Sequence, residues 1–135
     1  MRQNLTLTIT SLLSILFLTF HFASDAVRAR GGSPEAGGST LIGVPILVLL
    51  LYGTVVLAGR RSGNIIMLIG AIFAVAMPII HVSFPAGMFQ GVLAKGNGDF
   101  IFVWTLHMLG LLGMFQFILA ARAVFSRSRS LAASA

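Results

Sequence analysis

The sequence predicts an all-α membrane protein: four transmembrane helices packed as one bundle, with both chain ends in the cytoplasm. Three observations carry this. First, four apolar stretches, residues 4–23, 41–59, 64–82 and 100–124, hold no Asp, Glu or Lys. Their one Arg, Arg122, sits in the last turn of the fourth. A helix rises ~1.5 Å per residue, so about 20 residues cross a hydrocarbon core roughly 30 Å thick. Second, the mean hydropathy is +0.99 and 57 % of residues are hydrophobic, more apolar surface than 9 % charged residues can cover in a water-soluble domain of this size. Third, the charges sort by side. With the N-terminus inside, Arg2, Arg60, Arg61, Arg122, Arg127 and Arg129 are cytoplasmic. Arg28, Arg30 and Lys95 lie outside with Asp25, Glu35 and Asp99. Six basic residues inside against three outside is the positive-inside bias.

The first span, 4–23, carries a polar stripe. Thr6, Thr10, Ser14, His21 and Asp25 recur at i+4 or i+7 spacing, with Phe17 on the same line. On a period near 3.6 they share one face, which lipid solvates poorly, so it is expected to point inward. Hydroxyls there can bond back to the carbonyl one turn earlier or reach a neighbouring helix. Met1-Arg2 ahead of an apolar run and Ser24-Asp25-Ala26 also fits a signal peptide. The run from Leu5 to Ala23 exceeds a typical h-region of roughly 7–15 residues, which favours a retained helix.

The segment 24–40 ends in Gly31-Gly32-Ser33-Pro34-Glu35-Ala36-Gly37-Gly38-Ser39-Thr40 and reads as a flexible outer loop. Pro45 then falls in the first turn of the second span, where its missing N–H does little harm. Arg60-Arg61-Ser62-Gly63 reads as a tight turn, making spans two and three an antiparallel hairpin. Pro78 lies inside span three and is expected to bend it near the outer surface.

The second outer segment, 83–99, holds Phe84, Met88, Phe89, Val92 and Leu93, too apolar for a solvated loop. Residues 86–95 read as a short interfacial helix between helices three and four. Gly96-Asn97-Gly98 turns the chain into span four, and Trp104 falls at the depth of an aromatic belt. In the tail, Arg127 and Arg129 alternate with serines. With Arg60, Arg61 and Arg122 they are membrane-surface anchors and contacts for anionic lipid.

Small residues mark where helices approach closely. Gly70, Ala74 and His81 share a face of span three beside Met77 and Pro78, and His107, Gly110 and Met114 share a face of span four. Tyr52, near the middle of span two, needs a partner for its hydroxyl. Gln116 lies roughly opposite His107 and is expected to bond another helix or a second copy. The methionines read as packing residues.

The three histidines are the residues with chemical potential. His21, His81 and His107 all fall in the outer half of the membrane, His21 roughly 3–5 Å and His107 roughly 10 Å below their helix ends. Ionisable groups at such depth are functional candidates. A structural reading has each imidazole bonding a carbonyl or hydroxyl. A metal or haem reading has two histidines on facing helices holding haem b, or all three holding Cu or Zn, with Asp25 orienting His21. A third reading is a proton relay or small-solute path opening outward, lined by Thr10, Ser14 and His21. The spans contain no carboxylate for a proton-coupled antiporter.

The chain has no Cys, which excludes disulfides, thiolate metal sites and Cys nucleophiles. Paired carboxylates, phosphate-cradling loops and a Ser nucleophile with its base are also missing. The net charge of +6 follows membrane topology, so nucleic acid is not an expected partner.

Leu12-Leu13-Ser14-Ile15-Leu16 with His21, Leu41-Ile42-Gly43, Leu51-Tyr52-Gly53-Thr54-Val55-Val56-Leu57-Ala58 before Arg61-Ser62-Gly63, and Phe102-Val103-Trp104-Thr105-Leu106 are similar to segments of a group of small uncharacterised bacterial four-helix membrane proteins. The likeness spans most of the chain. It implies a multi-pass protein of the bacterial cytoplasmic membrane and supplies no activity.

The expected role is non-enzymatic: an accessory or assembly component that packs against other membrane subunits or a second copy of itself. A histidine-liganded haem or metal redox protein is the alternative, and an outward-opening carrier the third.

Overall fold

The computed structural model describes residues 2–30, 34–83 and 98–132, with side chains described over 5–24, 26–27, 42–80 and 102–126. Four helices account for nearly all of it: α1 (Arg2–Arg30), α2 (Pro34–Val55), α3 (Arg61–Ser83) and α4 (Gly98–Ala132). Within them, Leu5–Ser24, Arg61–Ile80 and Phe102–Ser126 are long and apolar enough to cross a membrane. Ile42–Val55 forms a shorter apolar helix among the described side chains.

Several helices outrun the apolar stretches that nucleate them. α1 continues to Arg30 because Ala, Val and Arg after Ser24 carry no helix breaker. α4, at 35 residues, runs ~50 Å, so its Arg-bearing end extends beyond a core roughly 30 Å thick.

Two expectations are corrected. The Gly-rich segment after Ser33 is not a loop: α2 begins at Pro34, where a proline suits the first helical position and the next residue, Glu35, is of the acidic type favoured in a first turn. Pro45 therefore lies inside α2 rather than in its first turn. The turn between α2 and α3 also falls earlier than Arg60–Gly63. Val56 N and Leu57 N both donate to Tyr52 O, at 2.9 and 3.2 Å, and Arg60 N donates to Leu57 O at 2.9 Å. Gly59 takes φ of 74°, the left-handed conformation that ends a helix at little cost to glycine. Arg61 already belongs to α3. The short helix expected over 86–95 lies outside the described residues.

The buried positions follow a repeat of three and four. On α4 they are Phe102, Thr105, Leu106, Leu109, Gly113, Gln116, Ala120 and Ala123. On α1 they are Leu7, Thr10, Ser11, Ser14, Leu18, His21 and Phe22. This seam period, near 3.5, is that of helices packed at a shallow left-handed angle. α3 packs most extensively on α4, α1 packs on α2 and α4, and α2 packs on α3. Leu18, Phe22, Leu50, Ala74 and Leu109 form one core cluster. Leu7, Met67, Ala120 and Ala123 form a second, nearer the chain ends.

Glycines set the helix spacing. A Cβ on Gly113 would stand 2.8 Å from Ala74 Cβ, and one on Gly110 would stand 2.8 Å from Pro78 Cγ. The outward faces are apolar: Leu5, Val27, Ile42, Val48, Leu111 and Phe125 are all exposed. An apolar exterior around a partly polar interior is the pattern of a protein solvated by hydrocarbon.

Candidate functional site

Polar side chains from three helices and a carbonyl from the fourth meet in one layer. Ser11 Oγ on α1 lies 2.8 Å from Thr54 Oγ1 on α2. Gln116 on α4 donates through Nε2 to Ser11 Oγ at 3.3 Å and to the Met67 carbonyl of α3 at 2.8 Å. Ser11, Thr54 and Gln116 are each at most 2 % exposed, so the layer is closed to the surroundings. A main-chain carbonyl only accepts, so the Met67 contact fixes which end of the Gln116 amide is nitrogen. Its Oε1 is then left buried with no hydrogen-bond partner among the described residues, as are Asn64 Oδ1 and Ser14 Oγ. An orphaned buried acceptor costs about 1–3 kcal/mol.

Glycine is what lets this layer close. A Cβ on Gly63 would collide with the Leu57 carbonyl oxygen and stand 2.9 Å from that of Gly53. α2 and α3 can therefore touch backbone to backbone just inside the turn. Thr54 and Asn64 directly follow these two glycines in sequence.

The histidines take different environments. His21 is 1 % exposed, with its ring stacked on Phe102 at 5.3 Å and 30°, and 5.8 Å from Phe22. His107 is exposed, and its Nδ1–H donates to the Val103 carbonyl one turn earlier on its own helix, 2.8 Å away. The side chains of His81, Asp25, Arg127 and Arg129 lie outside those described. Among the described residues, no group of three or more His, Cys, Asp or Glu side chains is placed to hold a metal ion.

Of the α1 stripe, Thr10, Ser14 and His21 are buried and Thr6 is exposed. Thr10 Oγ1 donates to the Thr6 carbonyl at 2.8 Å, the back-bond expected of a hydroxyl in a helix. Tyr52 is half exposed on the outer face of α2. Trp104 is half exposed and packs on Phe17, ring centres 5.7 Å apart. Arg60, Arg61 and Arg122 are exposed.

The face assigned to α4 is corrected in part. Gly110 does meet α3 and Met114 lines an open cleft beside it, but His107 is exposed. The seam runs through Leu106, Leu109 and Gly113, and one residue is about 100° of rotation, which carries His107 off the line. Sequence reasoning missed Ser11, Thr54 and Asn64. One signal was legible for Gln116: it lies on the same 7-residue line as Phe102, Leu109 and Ala123, and it is the one amide in the fourth stretch.

Between α3 and α4 a cleft of about 460 Å³ opens on the outward surface. It is lined entirely by apolar side chains: Ile72, Val75, Ala76, Ile79, Met114, Phe117 and Ile118.

Comparison of the chain with protein-family models, with curated proteins and with solved structures returns no match.

Proposed function

We propose that this chain is a four-helix protein of a bacterial cytoplasmic membrane, with both ends inside. Its role is non-enzymatic, as an accessory component that holds a transmembrane helix of another membrane subunit. The observation that carries this is the α3–α4 cleft. It is wholly apolar and lies between two helices long enough to cross a bilayer. Ala76, its small residue, leaves room for side chains of an incoming helix. The glycine contacts of Gly43, Gly53, Gly70, Gly110 and Gly113 are spent on partners within the chain, so a second protein must use a different surface. The interior polar layer is likewise closed, at most 2 % exposed at each bonded side chain, which leaves the outer faces for recognition. The arginines near the chain ends and the α2–α3 turn support the orientation.

Site-directed photocrosslinking in intact membranes tests this. A photoreactive residue at Ile118, in the cleft, is expected to capture one discrete membrane protein, and that protein, when tagged, is expected to recover this chain. The same probe at Val48, exposed on α2, is expected to capture lipid alone. Lipid adducts alone at both positions, or a cross-link only to a second copy, overturn the reading.

A further inference from the structure

We propose that the layer joining the helices is a hydration site: ordered water is bound inside the membrane-spanning part of the chain, donating to Gln116 Oε1 and Asn64 Oδ1. The proposal stands on the orphaned acceptors and is independent of the cleft.

The chemistry of the orphans selects the ligand. Among the described residues three buried oxygens lack donors: Gln116 Oε1, Asn64 Oδ1 and Ser14 Oγ, on residues at most 5 % exposed. Two of them are amide carbonyl oxygens, which accept and do not donate. Water brings two O–H donors and two acceptor lone pairs, and buried waters typically make about three bonds to groups of this kind. A metal cation is the poorer match. The layer offers no carboxylate, and Gln116 Nε2 directs its N–H groups into it, which a positive charge opposes.

The spacing also fits. Asn64 stands one turn before Met67 on α3, and Ser14 stands one turn beyond Ser11 on α1. Three residues of helix rise ~4.5 Å. A water making two hydrogen bonds of ~2.8 Å spans that interval. The orphans therefore form a short ladder leading inward from the α2–α3 turn, where Arg60 and Arg61 are exposed and Asn64 N donates to Arg60 O at 3.1 Å. Water entering at that turn reaches Asn64 first.

Radiolytic hydroxyl footprinting of the purified full chain in detergent micelles tests the proposal. Radicals generated from bound water oxidise neighbouring side chains that bulk water does not reach. Met67 is the reporter: it is 1 % exposed, and its own carbonyl accepts from Gln116. Met114, 57 % exposed, serves as the dose control. Met67 is expected to oxidise in the wild-type chain and to lose most of that reactivity in Gln116→Leu and Asn64→Leu, with Met114 unchanged. Gel filtration and circular dichroism establish that each variant is folded. If either variant does not fold, the wild-type arm still decides, because an unreactive Met67 in the folded chain means a dry layer and overturns the proposal. So does equal Met67 reactivity in the wild type and a folded variant. A melting temperature raised by Na⁺ or K⁺ relative to choline at the same ionic strength overturns it in favour of a cation.

Discussion

Gly113→Ala adds one methyl group at the place where α3 and α4 touch. The new Cβ would stand 2.8 Å from Ala74 Cβ, 3.0 Å from Val75 N and 3.1 Å from Ala74 C. Carbon atoms rest at ~3.5–4.0 Å, so α3 must retreat by close to 1 Å along this contact. Overpacking of this kind costs about 1–3 kcal/mol, and the upper half of the range applies because two of the three obstacles are backbone atoms that cannot rotate away. Replacing glycine by alanine in a helix returns about 1 kcal/mol of conformational preference. The net expectation is a loss of roughly 1–2 kcal/mol, a factor of about 5–30 in the folded-to-unfolded ratio. Gly70→Ala is the internal comparison. Its Cβ meets Leu50 Cδ2 at 2.6 Å, the tip of a flexible side chain, so its cost is expected to be smaller. Both are measured by reversible unfolding in mixed micelles, followed by fluorescence of the single tryptophan, Trp104, against Phe17. Adding Ala74→Gly to Gly113→Ala removes the nearest clash and is expected to restore part of the loss, a coupling between contacting residues. A Gly113→Ala chain as stable as wild type, or no recovery in the double variant, refutes the close backbone contact.

Thr54→Val keeps shape and removes the 2.8 Å bond to Ser11, so the same unfolding assay is expected to show a loss of about 0.5–1 kcal/mol. His107→Ala, at an exposed position, is expected to change stability by less than about 0.5 kcal/mol. His21→Ala opens a cavity beside Phe102 and is expected to cost about 2 kcal/mol or more, and equal effects at the two histidines contradict their placement. The haem or metal proposal expects a Soret band or stoichiometric metal that disappears in both His21→Ala and His81→Ala. A colourless, metal-free chain whose two variants still fold removes it. Reporter fusions at Met1, at the α2–α3 turn and at Ala135 are expected to share the cytoplasmic compartment, and a split between the two ends overturns the proposed four-span topology.

Much of the fold was legible because apolar length and charge are local properties. The apolar stretches at 4–23, 64–82 and 100–124 correspond to the three helices long enough to cross a membrane. Helix ends were less legible. Pro34 and Glu35 sit among four glycines that read as a loop, yet a proline and an acid are good first-turn residues, and the helix they start was hidden by the composition around it. The turn moved to residues 56–60 because Gly59 takes the left-handed conformation, a choice that an equally permissive Gly63 could have made on sequence alone. Gly63 instead packs against the α2 backbone.

The sequence by itself determined that the chain is helical and suited to hydrocarbon, because a run of apolar residues long enough to cross a bilayer leaves the backbone few other ways to satisfy its hydrogen bonds. It also singled out Thr10, Ser14 and His21 as an inward-facing stripe on α1, since a helical face repeats on a known period. Only the tertiary structure decided that Ser11, Thr54 and Gln116 meet in one layer and that His21 is enclosed while His107 faces outward. Those outcomes depend on how far each helix is rotated about its axis. That rotation is set by Gly113 against Ala74 and Gly63 against the α2 backbone, contacts between residues far apart in the chain that no local periodicity records.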